Sequence, residues 1–278
     1  MIDIIIPVYN ARKILELTLM SIKLQTIIDK INIYLIDDNS SEDYKDILNK
    51  YKDMNIIYKK LDKNNGPAVA RQKGIEMSSS KYIMFIDADD LLYDADSIKK
   101  LFNKIEEDYD YVVGITIDEK QNTQIMNESD LHGKIYKREF LLKNNIKFNN
   151  TRIHEDNYFN NLVLLCEPKQ KELLENIYIY VDNKDSITNI NKEKEFENLE
   201  IYISNIKEII EEATKRNIEK DLIIKYLIMK LKYINRIYNK LSDKQQEIFK
   251  NWLEKYDIKL EKYINNTQYD KIYNELLK

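Results

Sequence analysis

Cysteine is almost absent: the 278 residues contain one, Cys166. An internal disulfide framework is therefore ruled out, and the chain suits a reducing compartment. Two histidines beside that single cysteine give no basis for a Cys/His zinc site. Glycine (four) and proline (three) are scarce, so each is expected where geometry demands it. No uncharged run approaches the roughly 20 apolar residues of a membrane-spanning helix. Met1–Tyr9 has no basic n-region and no small-residue cleavage site, so no signal peptide is expected. An excess of one charge is lacking too. Lys+Arg total 44 against 48 Asp+Glu, a net charge of -4, which gives no global case for nucleic-acid binding. What remains is 43% apolar and 33% charged, the composition of a soluble globular chain. The length allows one large domain or two small ones.

The first 90 residues alternate strand and helix patterns. Strands are expected at 2–8, 31–37, 55–61 and 81–86, the first two buried, and helices at 12–25, 42–51 (capped by Ser41) and 68–78. Asn64-Asn65-Gly66-Pro67 is a turn cluster. Such alternation predicts a parallel sheet with right-handed crossovers. Beyond residue 94 the pattern predicts helix at 94–107, 137–144 and 156–166 and strand at 109–117 and 176–181. From about 193 onward the chain is Lys/Glu/Leu/Ile/Tyr-rich with no Gly or Pro, which predicts several helices. A domain boundary is expected near Asp182–Lys194.

In open parallel sheets ligands bind outside the carboxyl ends of the strands. Those ends read Pro7-Val8-Tyr9-Asn10, Asp37-Asp38-Asn39-Ser40-Ser41 and Asp87-Ala88-Asp89-Asp90. Asp87 and Asp89, one residue apart after a buried strand, can face one point and hold Mg²⁺ or Mn²⁺. They can equally cap the following helix. Asp38 can accept a hydrogen bond from a nucleobase, or serve an Asx turn with Asn39 and Ser40. The helix opening at Gly66, with Arg71, can attract phosphate; an exposed helix cation is the plainer reading of Arg71. Glu155 and Asp156 precede an apolar run, where acids cap a helix or supply a general base. His132 and His154 are candidate ligands or bases, although a satisfied loop histidine is the commoner fate.

Taken together the strings resemble the bacterial family-two glycosyltransferases of GT-A fold. They are Ile6-Pro7-Val8-Tyr9-Asn10, Ile36 to Ser41, Gly66-Pro67-Ala68-Val69-Ala70-Arg71, Phe85 to Asp90, Gly133-Lys134-Ile135-Tyr136-Lys137-Arg138 and Glu155-Asp156, in the family's order and spacing across residues 1–180. The resemblance implies an α/β fold: a Rossmann-like, mixed but mainly parallel sheet flanked by helices over 1–182, with an all-helical region over 193–278. It implies that Pro7, Val8 and Tyr9 line the nucleobase and ribose, that Asp38 binds the base, most often uracil, and that Arg71 lies near the nucleotide. Asp87 would contact ribose or the metal shell, and Asp89 would hold the Mn²⁺ or Mg²⁺ that bridges the diphosphate. Asp156 would be the catalytic base with Glu155 beside it, while Lys134, Asp90 and His154 fall in the donor and acceptor region.

The reaction so implied is an inverting transfer of one sugar from a nucleotide sugar, most often a UDP-sugar, to an acceptor hydroxyl. The acceptor would be a glycan, a lipid-linked molecule or a protein, in surface polysaccharide or glycoconjugate synthesis. The Gln-x-x-Arg-Trp string of processive members is missing, so single-sugar transfer is expected. A nucleotidyltransferase is the alternative enzyme, but residues 6–13 lack the glycine of its phosphate loop. A catalytically silent nucleotide-sugar-binding module is the alternative of another class.

Residues 215–241 combine helical apolar spacing with eight basic side chains against two acidic ones. This pattern suits an anionic membrane surface, a homodimer interface, or a bundle helix with solvated lysines. Cytoplasmic placement, peripheral on the inner face of the membrane if that surface is used, is the corresponding expectation.

Overall fold

The computed structural model describes residues 1–120, 122–126, 130–183 and 195–255. Residues 184–194, within the expected domain boundary, and 256–278 of the expected helical region lie outside the described residues.

Three apolar runs form the heart of the sheet. β1 (Ile2–Val8) lies between β2 (Ile31–Asp37) and β4 (Tyr82–Phe85), all parallel, with β3 (Ile56–Lys60) outside β2. Ile2, Ile4, Ile5, Ile6, Ile33, Leu35 and Ile83 are buried because helices cover both faces. α1 (Arg12–Lys23) buries Leu15, Leu19 and Ile22. α2 is only Lys45–Lys50, starts after Tyr44, and has no side-chain cap, so Ser41 caps nothing. Instead Ser41 donates to Asn10 Oδ1 through both its amide and its hydroxyl. α3 (Pro67–Met77) begins with proline in its first turn, where the missing N–H costs nothing. It packs closely on β1, since a Cβ on Gly74 would lie 2.4 Å from Ile5 Cγ2.

After β4 the sheet turns mixed. The order is β3-β2-β1-β4-β8-β6-β9-β5, with β7 (Thr123–Ile125) on β6, nine strands among the described residues. β5 (Leu91–Leu92) leads to α4 (Ser97–Ile105), and β6 (Tyr111–Asp118) pairs antiparallel with β8 (Lys134–Lys137). β8 is antiparallel to β4, so it carries the second half of the sheet on to the first. The helix expected at 137–144 is α5 (Arg138–Lys143), with Lys137 ending β8 just before it. β5, β7 and β8 are too short to show a period of two, which is why sequence alone missed them. β9 (Gln170–Tyr180) is longer than the expected 176–181 because its first half is exposed and polar. It pairs parallel with β6 through two register shifts near Gly114 and Ile115. There a Cβ on Gly114 would meet Ile177 Cγ1 at 2.2 Å, so only glycine allows the approach.

α6 (Glu155–Leu165) is fixed by aromatic packing. Phe159 stacks on Phe148 at 4.3 Å and meets Phe85 and Tyr136 edge-on at 5.6 and 5.8 Å. Each such pair adds about 0.5–1.5 kcal/mol beyond the area it buries.

Two compact units result: Met1–Val163 with Glu167–Ser186, and Leu164–Cys166 with Ile187–Lys278. The described part of the second unit is helical: α7 (Glu195–Lys215), α8 (Lys220–Tyr238) and α9 (Asp243–Lys255). On α8, Ile223, Tyr226, Leu227, Ile234 and Tyr238 are buried, so the apolar stripe does the work of a bundle helix. Lys220, Lys225, Arg236 and Lys240 are exposed. No helix among the described residues is long and apolar enough to cross a membrane.

Candidate active site

β1, β2 and β4 open on one side of the sheet at their carboxyl ends. There Val8 is buried, Pro7 partly exposed and Tyr9 52% exposed. Asp37 and Asp38 take separate jobs at the end of β2. Asp37 accepts from the Ser40 amide at 2.7 Å and the Tyr58 hydroxyl at 2.6 Å, an Asx-type turn. Asp38 accepts from the amides of Asn65 at 2.9 Å and Gly66 at 2.7 Å. The carboxylate of Asp38 therefore occupies the amides before α3, where the sequence suggested a phosphate. Burial pushes the Asp38 carboxyl up, while those two amides and Arg152 pull it down. Gly66 has φ of 93°, a backbone that favours glycine.

Arg71 departs most from its expected place. It is 5% exposed rather than a surface cation. Its Nη1 donates to Glu155 Oε1 at 2.5 Å and its Nη2 to Asp87 Oδ1 at 2.6 Å. One guanidinium thus ties the end of β4 to the first turn of α6. Desolvation of Arg71 is outweighed by the two carboxylates, which hold it charged. The acids fare differently because Asp87 has a second cation. Burial would raise the Asp87 carboxyl, but Arg71 and then His132 hold it well below the usual range. Burial pushes Glu155 up to about 7 against the pull of Arg71, and the charge of Asp156 adds to the rise. Arg71 Nε is buried with no hydrogen-bond partner among the described residues.

His132 is that second cation. Its ring is stacked with Tyr178 at 5.0 Å and Tyr180 at 5.3 Å. Its Nε2 lies 3.5 Å from Asp87 Oδ2 and 3.7 Å from Asp90 Oδ2. Burial opposes its protonation, yet Asp87 and Asp90 bring its pKa up to about 9. On sequence grounds His132 is a candidate ligand or base, with a satisfied loop histidine the commoner fate; here it faces two acids.

Asp90 is fully buried and accepts from the Tyr178 hydroxyl at 2.7 Å and the Val181 amide at 3.0 Å. Burial pushes it up to about 7, with His132 opposing. Asp89 is partly exposed and accepts from Asn183 Nδ2 at 2.9 Å. Burial, then the Asp87 charge, raise it too.

Ligand atoms of Asp87, Asp90 and His132 lie within 4.8 Å of one another, close enough to meet on one cation. Asp89, expected beside Asp87 as a ligand, lies outside that set. Carboxylate oxygens with one imidazole nitrogen suit Mn²⁺; Mg²⁺ is better served by the carboxylates alone. To ligate, His132 must release the proton that the two acids help it hold. Asp87, Asp89, Asp90 and Glu155 bring more negative charge than Arg71 and His132 offset, and a divalent cation would correct that excess. The residues present fit such an ion.

Asp156 opens α6 with Oδ1 on the Asn157 amide at 2.7 Å, and is partly exposed. His154 precedes the helix with φ of 60°; burial lowers its pKa, with the Asp156 charge opposing. Lys134, expected in the donor and acceptor region, is 1% exposed. It donates to the Asp130 carbonyl at 2.6 Å and to Asn160 on α6 at 3.3 Å, so it braces that helix.

The family model described as Glycosyl transferase family 2 matches residues 3–159. Among curated proteins, a poly(ribitol-phosphate) beta-N-acetylglucosaminyltransferase, TarP, of Staphylococcus aureus is 28% identical over 292 residues, covering 95% of this chain and 86% of its own. Among solved structures, S. aureus TarS 1–349 in complex with UDP-GlcNAc superposes with a TM-score of 0.78 at 18% identity, covering 92% of this chain and 80% of that one. The mannosyltransferase PcManGT of Pyrobaculum calidifontis, in complex with GDP-Man and Mn²⁺, gives a TM-score of 0.59 at 14% identity over 77% and 64% of the chains. The match of residues 3–159 covers more than half the sequence, and it spans every candidate residue from Pro7 to Asp156: the chain belongs to glycosyl transferase family 2.

Proposed function

We propose that this chain transfers one sugar, with inversion, from a UDP-sugar to an acceptor hydroxyl of a cell-surface polymer or its lipid-linked precursor. The observation that carries the reading is the buried Arg71, which joins the Asp87 turn to the helix bearing Asp156. It sets Asp87 and Glu155, the neighbour of the proposed base Asp156, on either side of one cation. TarS, bound to UDP-GlcNAc, supports a UDP-sugar over the GDP-Man of PcManGT, and TarP, named as a beta-N-acetylglucosaminyltransferase, supports a β-linked product.

Pro7, Val8 and Tyr9 line the nucleobase and ribose, and Asp38 both orders the 64–66 turn and faces the base. Asp156 takes the proton of the acceptor hydroxyl as its oxygen attacks the anomeric carbon, and the nucleoside diphosphate departs from the opposite face. Glu155 holds Arg71 and so fixes the first turn of α6. No protein nucleophile is needed in a direct displacement. Asp87, Asp90 and His132, whose ligand atoms lie within 4.8 Å of one another, would hold Mn²⁺ or Mg²⁺, with Asp89 of the same turn joining them on the ion. When bound, that ion offsets the charge that grows on the departing diphosphate. The exposed basic residues Lys220, Lys225 and Arg236 of α8, with Lys240 in the turn after it, suit peripheral contact with an anionic membrane that carries the acceptor.

The test is nucleoside diphosphate release from a panel of UDP-, GDP- and CDP-sugars, with and without Mn²⁺. We expect release from a UDP-sugar, its loss on chelation, and its loss in Asp89→Ala and Asp156→Ala. Release unchanged in Asp156→Ala would remove the base from the mechanism. Metal-dependent nucleotide binding without release from any donor would favour the silent module, and absence of both would overturn the nucleotide-sugar reading.

A further inference from the structure

A nucleotide-sugar donor carries a diphosphate, and the cations near the strand ends are mostly committed elsewhere. Arg71 is buried on two carboxylates. Lys134 is buried on a carbonyl and on Asn160. Arg12 is paired with Asp46. Lys60 donates to the Ser40 carbonyl at 2.6 Å.

Arg152 differs from all of these. It is exposed, and its one hydrogen bond among the described residues runs from Nη2 to the Asn64 carbonyl at 3.3 Å, a long bond to a neutral acceptor. Its stem lies over Gly66, with Cγ 3.2 Å from where a Cβ would stand. The glycine that gives its amide to Asp38 is thus also the floor on which Arg152 rests. Four residues further along the chain is Asp156. Arg152 therefore links the turn held by the proposed base-reading carboxylate to the segment that delivers the proposed catalytic base. In a nucleotide sugar the diphosphate lies between the nucleoside and the transferred sugar.

We infer that Arg152 binds the diphosphate of the nucleoside diphosphate sugar, as a protein cation additional to the metal site. The inference rests on the nucleotide-sugar reading above. A guanidinium suits the task because its planar fork meets two phosphate oxygens at once and stays charged at any working pH. Held by its stem on Gly66 and by one carbonyl, it keeps free N–H groups for the ligand and loses little freedom on binding.

The experiment measures binding of UDP by calorimetry and of uridine by ligand-observed NMR, both in Mn²⁺, to the full chain and to Arg152→Gln and Arg152→Lys. Gln keeps the stem that packs on Gly66 and removes the charge; Lys keeps the charge and removes the fork. We expect Gln to weaken UDP about tenfold while leaving uridine unchanged, and Lys to recover part of the loss. Equal weakening of UDP and uridine would overturn the inference, because Arg152 would then merely shape the 64–66 turn. UDP affinity unchanged in Gln would overturn it as well. A parent protein that binds neither ligand would overturn the nucleotide-sugar reading itself, which separates the two failures.

Discussion

At the scale of single residues, burial decides chemistry. Arg71, on sequence grounds, is one more helix cation. Inside the protein its guanidinium serves Asp87 and Glu155, and losing one partner of such a buried pair typically costs about 3–5 kcal/mol. Glu155 and Asp156 are neighbours with opposite fates: one is buried on Arg71, and the other stays partly exposed. His154 offers a pH prediction. Burial lowers its folded-state pKa below the ordinary 6.5. Above that pH the imidazole is neutral in both states and contributes no pH dependence. As pH falls through 6.5 the unfolded chain takes a proton that the folded one resists, so stability drops. His154→Asn removes this slope and suits the left-handed backbone at φ of 60°. In urea titrations the stability difference between variant and parent should grow from pH 7.5 to pH 5.5 in favour of the variant. A constant difference would show that His154 does not titrate in this window.

At the scale of elements, close approach positions the site. Gly74 lets α3 lie on β1, and α3 carries Arg71. Gly74→Ala places a methyl 2.4 Å from Ile5 Cγ2. Because Ile5 is fully buried within a central strand, it cannot swing aside. The expected cost is about 1–3 kcal/mol of unfolding free energy, read as a lower denaturation midpoint. Unchanged stability would mean that α3 rides further from the sheet. β9 plays the matching part on the other side. Its register shifts beside Gly114 accompany the placing of Tyr178 against Asp90 and both Tyr178 and Tyr180 against His132. The alternating strands and helices before residue 90 could be read because β1, β2 and β4 are mostly apolar runs, α1 shows its stripe, and the Gly66-Pro67 turn marks where α3 begins. β5, β7 and β8 could not, because two to four residues carry no period.

At the scale of the molecule, the candidate residues from Pro7 to Asp156 all belong to the unit built on the sheet. The helical unit has its own core, with Tyr238 on Phe249 at 5.6 Å and Phe196 on Trp252 at 4.8 Å. A ligand that binds only the folded site stabilises it by about 2.7 kcal/mol at a hundred times its dissociation constant. Hydrogen exchange with saturating UDP and Mn²⁺ should therefore slow in 1–163, most at 36–41, 64–71 and 85–90. Exchange in 195–255 should change less. Protection that appears first in 195–255 would move nucleotide binding out of the sheet unit.

Order along the chain determined much of this protein. The strings at Pro7, Asp38, Gly66, Asp87 and Glu155-Asp156 stand at strand ends and helix starts, and local periodicity is enough to place them there. Tertiary structure alone decided which of their charges meet. Asp87 and Arg71 are 16 residues apart, Glu155 and Arg71 are 84 apart, and His132 reaches Asp87 only because β8 is antiparallel to β4. A carboxylate's proton affinity depends on burial and on cations within a few ångströms. Neither is a property of sequence neighbours, so the difference between Asp87, held low, and Asp90, held high, exists only once the sheet is assembled.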